Sequence, residues 1–275
     1  MDNKSIHIGE CLGAFSPIII FLAVRELVKL LAHNMVMSFM DNGTIVFGFD
    51  FGSLRGIEGV SIFLQSNSIY ITGFCNLVCI IIYIIMLKNE PLTPSPRGHF
   101  SVTVLKTVFA SLCLSMAVTG IIRLLGIDAA SAGYQQVQAG YSGKNIAVLI
   151  IALGILAPLS EELCFRGLMY TRIKGILGQA PAFVFSSVCF GLIHGNAAQM
   201  IHAAALGILL AFFYEKGGSL IVPLAGHMAV NLFAIFTDAS GGMENMYRNT
   251  FVAAGFIIVN ITVVYMMLNS MRDKK

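Results

Sequence analysis

Apolar stretches of about twenty residues recur along almost the whole chain, and they limit the folds open to it. A helix needs about 20 mostly apolar residues to cross a bilayer. Of the 275 residues, 57% are apolar and 11% are charged, whereas soluble domains carry about 25% charged residues. The sequence therefore predicts an all-α fold, a polytopic membrane helix bundle.

The apolar stretches divide into eight predicted transmembrane helices. They lie at 13–39, 68–87, 101–125, 145–173, 180–195, 200–214, 219–236 and 251–268. No polar stretch is long enough to fold separately, so we predict one integral membrane domain. Within it, residues 1–140 hold N-terminal spans without an identifiable signature, residues 145–236 hold the polar motifs described below, and residues 251–268 form a C-terminal span.

Two connections stand out between these spans. The prolines of 91–100 exclude a helix there and mark a boundary. The glycine-rich segment 41–67 is long for a connection, and we expect it to lie against the membrane surface.

The basic residues predict the orientation, because cytoplasmic segments of membrane proteins are enriched in Lys and Arg. With the N-terminus in the cytoplasm, nine basic residues fall in inside segments and three in outside loops. The inside set is Lys4, Lys88, Arg97, Arg172, Lys174, Lys216, Arg272, Lys274 and Lys275, and the outside set is Arg55, Lys144 and Arg248. We therefore expect both termini in the cytoplasm. The net charge of +3 is small and scattered, which argues against a nucleic-acid partner.

The first predicted span carries three charges, Arg25, Glu26 and Lys29. They are spaced for contacts about one helical turn apart. We expect them to pair locally or to mark an interfacial entry into the membrane.

The fourth span carries adjacent carboxylates, Glu161 and Glu162, and Arg166 follows Glu162 by one helical turn. Ionisable groups within spans are costly and indicate a functional site. Neighbouring helix positions differ by about 100°, so the two carboxylates cannot point in one direction. We expect Arg166 to hold Glu162 through a bidentate pair, which leaves Glu161 to face a water-filled cavity as the reactive group. The alternative is an ion pair that only stabilises the bundle.

Histidines follow on the next spans. Phe190 precedes His194 by four residues on the fifth span, and a turn near Leu177 would bring His194 level with Glu161. On the seventh span, His227 and Asn231 share one helical face and could donate hydrogen bonds toward a common oxyanion. Structural hydrogen bonding between helices is the alternative for each, and we interpret His202, on the sixth span, as structural.

Three motifs in this order, EELCFR (Glu161, Glu162, Arg166), FGLIH (Phe190, His194) and HMAVN (His227, Asn231), resemble those of a known family. The chain is similar over residues 145–236 to the CAAX-processing and bacteriocin-processing (CPBP, or Abi) intramembrane proteases. The resemblance implies that Glu161 and His194 activate water, that His227 and Asn231 bind the oxyanion, and that Glu162 and Arg166 orient the site. It also implies a peptidase in a bacterial plasma membrane that acts on a membrane-anchored or hydrophobic peptide.

The resemblance favours a metal-free, glutamate-dependent mechanism, and we expect no cofactor. The alternative is a catalytic Zn²⁺ held by Glu161, His194 and His227, with an open position for water.

Other classes of function compete with a peptidase. One is a non-catalytic membrane scaffold or bacteriocin-immunity protein that keeps the polar set for stability. A transporter with a Glu161–Glu162 relay is less favoured, because neither an inverted repeat nor matched broken helices are visible.

Overall fold

A computed structural model describes residues 8–46, 49–54, 56–88, 90, 100–141, 143–240, 247 and 249–271. Helices account for most of these residues. In chain order they are α1 (Ile8–Asp41), α2 (Gly56–Ser66), α3 (Ser68–Leu87), α4 (Phe100–Leu124), α5 (Ile127–Ala130), α6 (Ala132–Tyr141), α7 (Ile146–Leu177), α8 (Gln179–Leu192), α9 (Ala197–Gly217), α10 (Ile221–Ser240) and α11 (Thr250–Asn269). All eight predicted helices are present, as α1, α3, α4 and α7 to α11, which confirms the all-α membrane fold.

Not every described helix is long and apolar enough to cross a membrane. By length and composition, five described helices could cross a membrane, namely α3, α4, α7, α9 and α11. The apolar parts of α8 and α10 are shorter, and α1 carries five charged residues. The eight-span count therefore stays a prediction.

The orientation also stays a prediction, because much of its basis lies outside the described residues. Outside them are residues 91–99, with the predicted boundary, and the basic residues Lys4, Arg55, Arg97, Arg248, Arg272, Lys274 and Lys275.

The connection 41–67 has structure of its own. Strand β1 (Ile45–Val46) pairs antiparallel with β2 (Phe49–Asp50), and a 3-10 turn (Phe51–Ser53) leads into α2. Phe51 and Val60 from this segment bury an apolar cluster against Val36 of α1. The segment is therefore attached to the C-terminal end of α1.

Helix α7 is unbroken but changes its hydrogen-bond register twice. Segments Ile150–Leu156 and Leu163–Tyr170 are π-helical, a form that often marks functional sites. In the first segment the Ala157 N–H binds the Ala152 carbonyl. The next i+5 donor would come from Pro158, which has no N–H, so the Leu153 carbonyl is available to another partner.

Helices α8 and α9 follow α7 as tightly packed neighbours. A turn at Gly178, whose φ is +87°, separates α7 from α8, close to the position predicted. A Cβ on Gly191 of α8 would lie 2.8 Å from the Met200 carbonyl oxygen, and one on Gly207 of α9 would lie 3.1 Å from the Ser187 Cα. These glycines let the two backbones approach closely, as small residues do in membrane helix pairs.

Candidate active site

Glu162 and Arg166 form a buried ion pair on α7. Arg166 Nη1 donates to Glu162 Oε1 at 2.8 Å, and both residues are at most 1% exposed. Arg166 Nη2 also donates to the Gly207 carbonyl at 3.0 Å, and its guanidinium lies over the Phe190 ring at 4.7 Å. The expected pair is present but is not bidentate, because Arg166 Nη2 donates to α9 instead of the second carboxylate oxygen. The pair is tied to α8 and α9 as well.

His227 joins the two glutamates. Its Nδ1 lies 2.8 Å from Glu162 Oε1, and its Nε2 lies 3.5 Å from Glu161 Oε2. Because Arg166 already binds Glu162 as a carboxylate, Glu162 can only accept, and the His227 Nδ1 must donate. The ring is 3% exposed, and its Nε2 is the nitrogen on the Glu161 side.

Glu161 and His194 line the same cavity. The cavity has a volume of about 1370 Å³, and its walls include Glu161, His194, His227 and Asn231. His194 Nδ1 lies 2.8 Å from the Phe190 carbonyl oxygen, which can only accept, so Nδ1 donates and Nε2 remains available. The Phe190 ring packs edge-on against both His194 and His227, at 5.3 and 5.5 Å. Phe190 thus fixes the positions of both imidazoles.

Asn231 is held by the irregular part of α7. Its Nδ2 donates to the Leu153 carbonyl at 2.8 Å, which is the carbonyl that Pro158 leaves without a donor. The structure does not show His227 and Asn231 donating toward a common point, because each donates to another group. A primary amide has two N–H donors, so the second N–H of Asn231 is still available.

Sequence reasoning missed a further polar pair at the cavity. Ser115 Oγ on α4 lies 2.9 Å from His202 Nε2 on α9, and both residues line the cavity. The sequence does contain a pattern that could have indicated a polar face on α4, because hydroxyl residues repeat there every four positions. They are Thr103, Thr107, Ser111, Ser115 and Thr119.

The N-terminal helices complete the cavity walls. Arg25 and Lys29 of α1, Gln65 of α2, Cys75 of α3 and Tyr141 of α6 all line it. Residues 1–140 therefore enclose the site although they carry no recognisable motif.

The alternative zinc site would use Glu161, His194 and His227. Among the described residues, no group of three or more His, Cys, Asp or Glu side chains is arranged to hold a metal ion. The Nδ1 atoms of His194 and His227 are used by the Phe190 carbonyl and by Glu162, so only their Nε2 atoms could act as ligands. We derive no chemical step through a metal.

Comparisons with known proteins agree on one class. The family model described as "Type II CAAX prenyl endopeptidase Rce1-like" matches residues 143–233. The chain is 24% identical over 182 residues to "Putative membrane peptidase YdiL" of Bacillus subtilis (strain 168), covering 62% of this chain and 74% of that protein.

Two further relatives are matched over less than half of their length. The "UPF0177 protein YxdF" of Lactococcus lactis is 37% identical over 82 residues, which cover 30% of this chain and 45% of that protein. The "CAAX prenyl protease 2" of Homo sapiens is 26% identical over 141 residues, which cover 44% of this chain and 42% of that protein. No solved structure matches the chain.

The matched segment coincides with the part of the chain that carries Glu161, His194 and His227. The family model, the named relatives and the three motifs point to one group of membrane peptidases. Residues 143–233, about one third of the chain, are thus similar to the Rce1-like type II CAAX prenyl endopeptidases.

Proposed function

We propose that the protein is an intramembrane endopeptidase that hydrolyses a membrane-anchored or hydrophobic peptide with water activated by Glu161 and His194. The observation that carries the proposal is the convergence of Glu161, His194 and His227 on one cavity. Behind them, the buried Glu162–Arg166 pair anchors His227.

In the first step, Glu161 takes a proton from a water molecule, and the His194 Nε2 accepts a hydrogen bond from the same water. The resulting hydroxide attacks the scissile carbonyl carbon, so that a C–O bond forms and the carbonyl oxygen becomes an oxyanion. Preorganised donors at such an oxyanion stabilise the transition state. Glu161 then returns its proton to the amide nitrogen as the C–N bond breaks, which yields a carboxylic acid and an amine.

The oxyanion donors are His227 and Asn231. Because Nδ1 of His227 is bound to Glu162, only its Nε2 can serve, and it must carry a proton to do so. With His227 protonated, the charges of Glu161, Glu162, Arg166 and His227 sum to zero, which suits a cluster held away from bulk water. Asn231 supplies its second amide N–H while the first stays on the Leu153 carbonyl.

This chemistry needs only side chains of the chain itself, and we propose that it runs without a metal. We further propose a bacterial plasma membrane location with both termini in the cytoplasm.

The test compares alanine variants with wild type in detergent and in proteoliposomes, using a membrane-tethered peptide. Glu161→Ala and His194→Ala should insert and purify like wild type but lose cleavage. Glu58→Ala is the matched control, because Glu58 is exposed on α2 and outside the cavity wall. Full activity in both site variants would overturn the proposal, and loss of folded protein in both would favour the scaffold alternative. Peptidomics of membranes with wild type or Glu161→Ala would then identify the natural substrate.

A further inference from the structure

Helix α3 carries a buried amide that the proposed reaction does not use. Asn76 is 3% exposed and lines the same cavity as Glu161. Among the described residues its side chain has no hydrogen-bond partner, although an amide offers two N–H donors and an acceptor oxygen. A polar group buried in a membrane span without a partner is costly and indicates a function. The Asn76 amide is therefore available to a ligand in the cavity.

Asn76 differs in this respect from other polar residues of the bundle. Lys29 Nζ donates to Glu26 Oε1 at 2.8 Å, which is the local pairing that the sequence predicted. Within the described part of the chain, Ser160 and Ser187 lack partners too, but their Oγ atoms are sealed from the cavity. The amide atoms of Asn76 are not sealed in this way. Asn76 thus combines burial, free hydrogen-bonding groups and access to the cavity.

Asn76 lies at one end of a polar stripe on α3. Ser68, Thr72 and Asn76 follow one another at four-residue intervals, so they share one face of the helix. All three line the cavity. On α7, Leu153 and Glu161 line the same cavity. The cavity therefore runs along both helices, and α3 supplies a polar wall.

Helices α3 and α7 run parallel beside the cavity. A Cβ on Gly73 would lie 3.3 Å from the Ala152 Cβ, and a Cβ on Gly167 would lie 3.3 Å from Leu87 Cδ2. These two contacts are 14 residues apart on α3 and 15 residues apart on α7. A level on one helix can therefore be transferred to the other.

The parallel packing gives the level of Asn76 relative to Glu161. Asn76 is three residues beyond Gly73, and Glu161 is nine residues beyond Ala152. The two levels differ by six residues, which is roughly 9 Å along the helix axes at about 1.5 Å per residue. Asn76 is thus too far from Glu161 to act on the reacting atoms, but it lies on the same cavity.

The interval of about 9 Å corresponds to about three residues of an extended peptide, which rises about 3.3 Å per residue. A peptide with its scissile bond beside Glu161 would therefore place a backbone amide beside Asn76. The Asn76 amide can accept a hydrogen bond from a peptide N–H and donate one to a peptide carbonyl. In a cavity sheltered from bulk water, the backbone of a bound peptide needs such partners.

We propose that Asn76 binds the substrate backbone about three residues from the scissile bond, through the N–H and the carbonyl of one residue. The inference rests on the proposed peptidase function and adds a substrate-binding residue to it. Because the contact is with the backbone, it holds an extended peptide in register without selecting its side chains. Thr72 and Ser68 continue the polar wall toward the N-terminal end of α3.

The experiment uses the full chain in proteoliposomes and one hydrophobic, membrane-tethered peptide. Single backbone nitrogens on either side of the scissile bond are methylated in turn, which removes one N–H and leaves every side chain unchanged. Wild type should lose about 5- to 100-fold in kcat/KM when the methyl group is about three residues from the scissile bond.

The variants test whether Asn76 is responsible for that loss. Asn76→Leu keeps a similar volume and removes both hydrogen-bonding groups. It should raise KM for the unmodified peptide with kcat nearly unchanged, and methylation at the sensitive position should then cause no additional loss. Because Asn76 has no partner in the described residues, the unfolding midpoint should not fall, whereas an amide with a structural role would lower it. Asn76→Ala, which adds no bulk, should give the same methylation profile.

Asn260→Leu is the matched control. Asn260 is 5% exposed on α11, donates to the Phe256 carbonyl at 2.8 Å and is not part of the cavity wall. This variant should keep the wild-type methylation profile.

The proposal is overturned if either Asn76 variant keeps the wild-type methylation profile, or if both unfold at a clearly lower temperature than wild type. Wild type that cleaves neither the unmodified peptide nor a longer panel of membrane-tethered peptides would instead contradict the peptidase function itself.

Discussion

Glu161 and Glu162 are neighbours in the sequence, yet the structure predicts opposite consequences for the same substitution. Glu162 Oε1 accepts hydrogen bonds from Arg166 and His227 at 2.8 Å each, and its side chain is 2% exposed. The Glu161 side chain is 12% exposed at the cavity, and its nearest charged contact is His227 at 3.5 Å. Substitution by Gln keeps the shape of the side chain and removes its charge.

Glu162→Gln leaves the guanidinium of Arg166 buried without its counter-charge. Removing one member of a buried ion pair costs about 3–5 kcal/mol of unfolding free energy. Glu161→Gln removes only the longer contact to His227, at 3.5 Å, so its cost in unfolding free energy should be smaller. It removes the proposed general base, however, and general acid–base groups contribute roughly 10²- to 10⁴-fold to the rate.

The assay measures thermal unfolding in detergent and peptide cleavage on the same preparations. We expect Glu161→Gln to keep the wild-type midpoint and to lose cleavage by at least about 10²-fold. Glu162→Gln should show a clearly lower midpoint. If Glu161→Gln cleaves normally, or if Glu162→Gln unfolds at the wild-type temperature, the division of roles between the two carboxylates is wrong.

Three other outcomes are expected. Gly226→Ala should lower activity in the cleavage assay. The new Cβ would lie 2.6 Å from Ser111 Oγ and would force α10 away from α4, next to His227. Gly255→Ala is the control, because the space around Gly255 is open. Asn231→Ala should lower the unfolding free energy by about 1–3 kcal/mol in chemical denaturation, because the Leu153 carbonyl loses its donor. Prolonged chelation followed by metal analysis should leave cleavage unchanged, and activity restored only by added Zn²⁺ would contradict the metal-free proposal.

Local patterns in the sequence predicted the helices and part of the site. The eight helices follow from apolar run length, which is a property of contiguous residues. The Glu162–Arg166 pair follows from a four-residue spacing within one helix. The turn near Leu177 was also predicted, and the structure places it at Gly178.

The remaining contacts depend on how distant helices pack. The bond from His227 to Glu162 joins residues 65 positions apart, and the Ser115–His202 contact joins residues 87 apart. The sequence did not predict the role of Pro158 either. That role depends on the π-helical segment of α7, in which the Leu153 carbonyl is left for Asn231 to bind.

The sequence alone predicted the helical membrane fold and the candidate residues of the site, because these follow from local spacing and from the cost of placing charge in lipid. Only the tertiary structure showed that Nδ1 of His227 is bound to Glu162 and that Nε2 is the nitrogen left available. It also decided that Arg25, from the segment without a motif, lines the cavity of Glu161. The physical reason is that helix packing brings together side chains whose separation along the chain carries no signal.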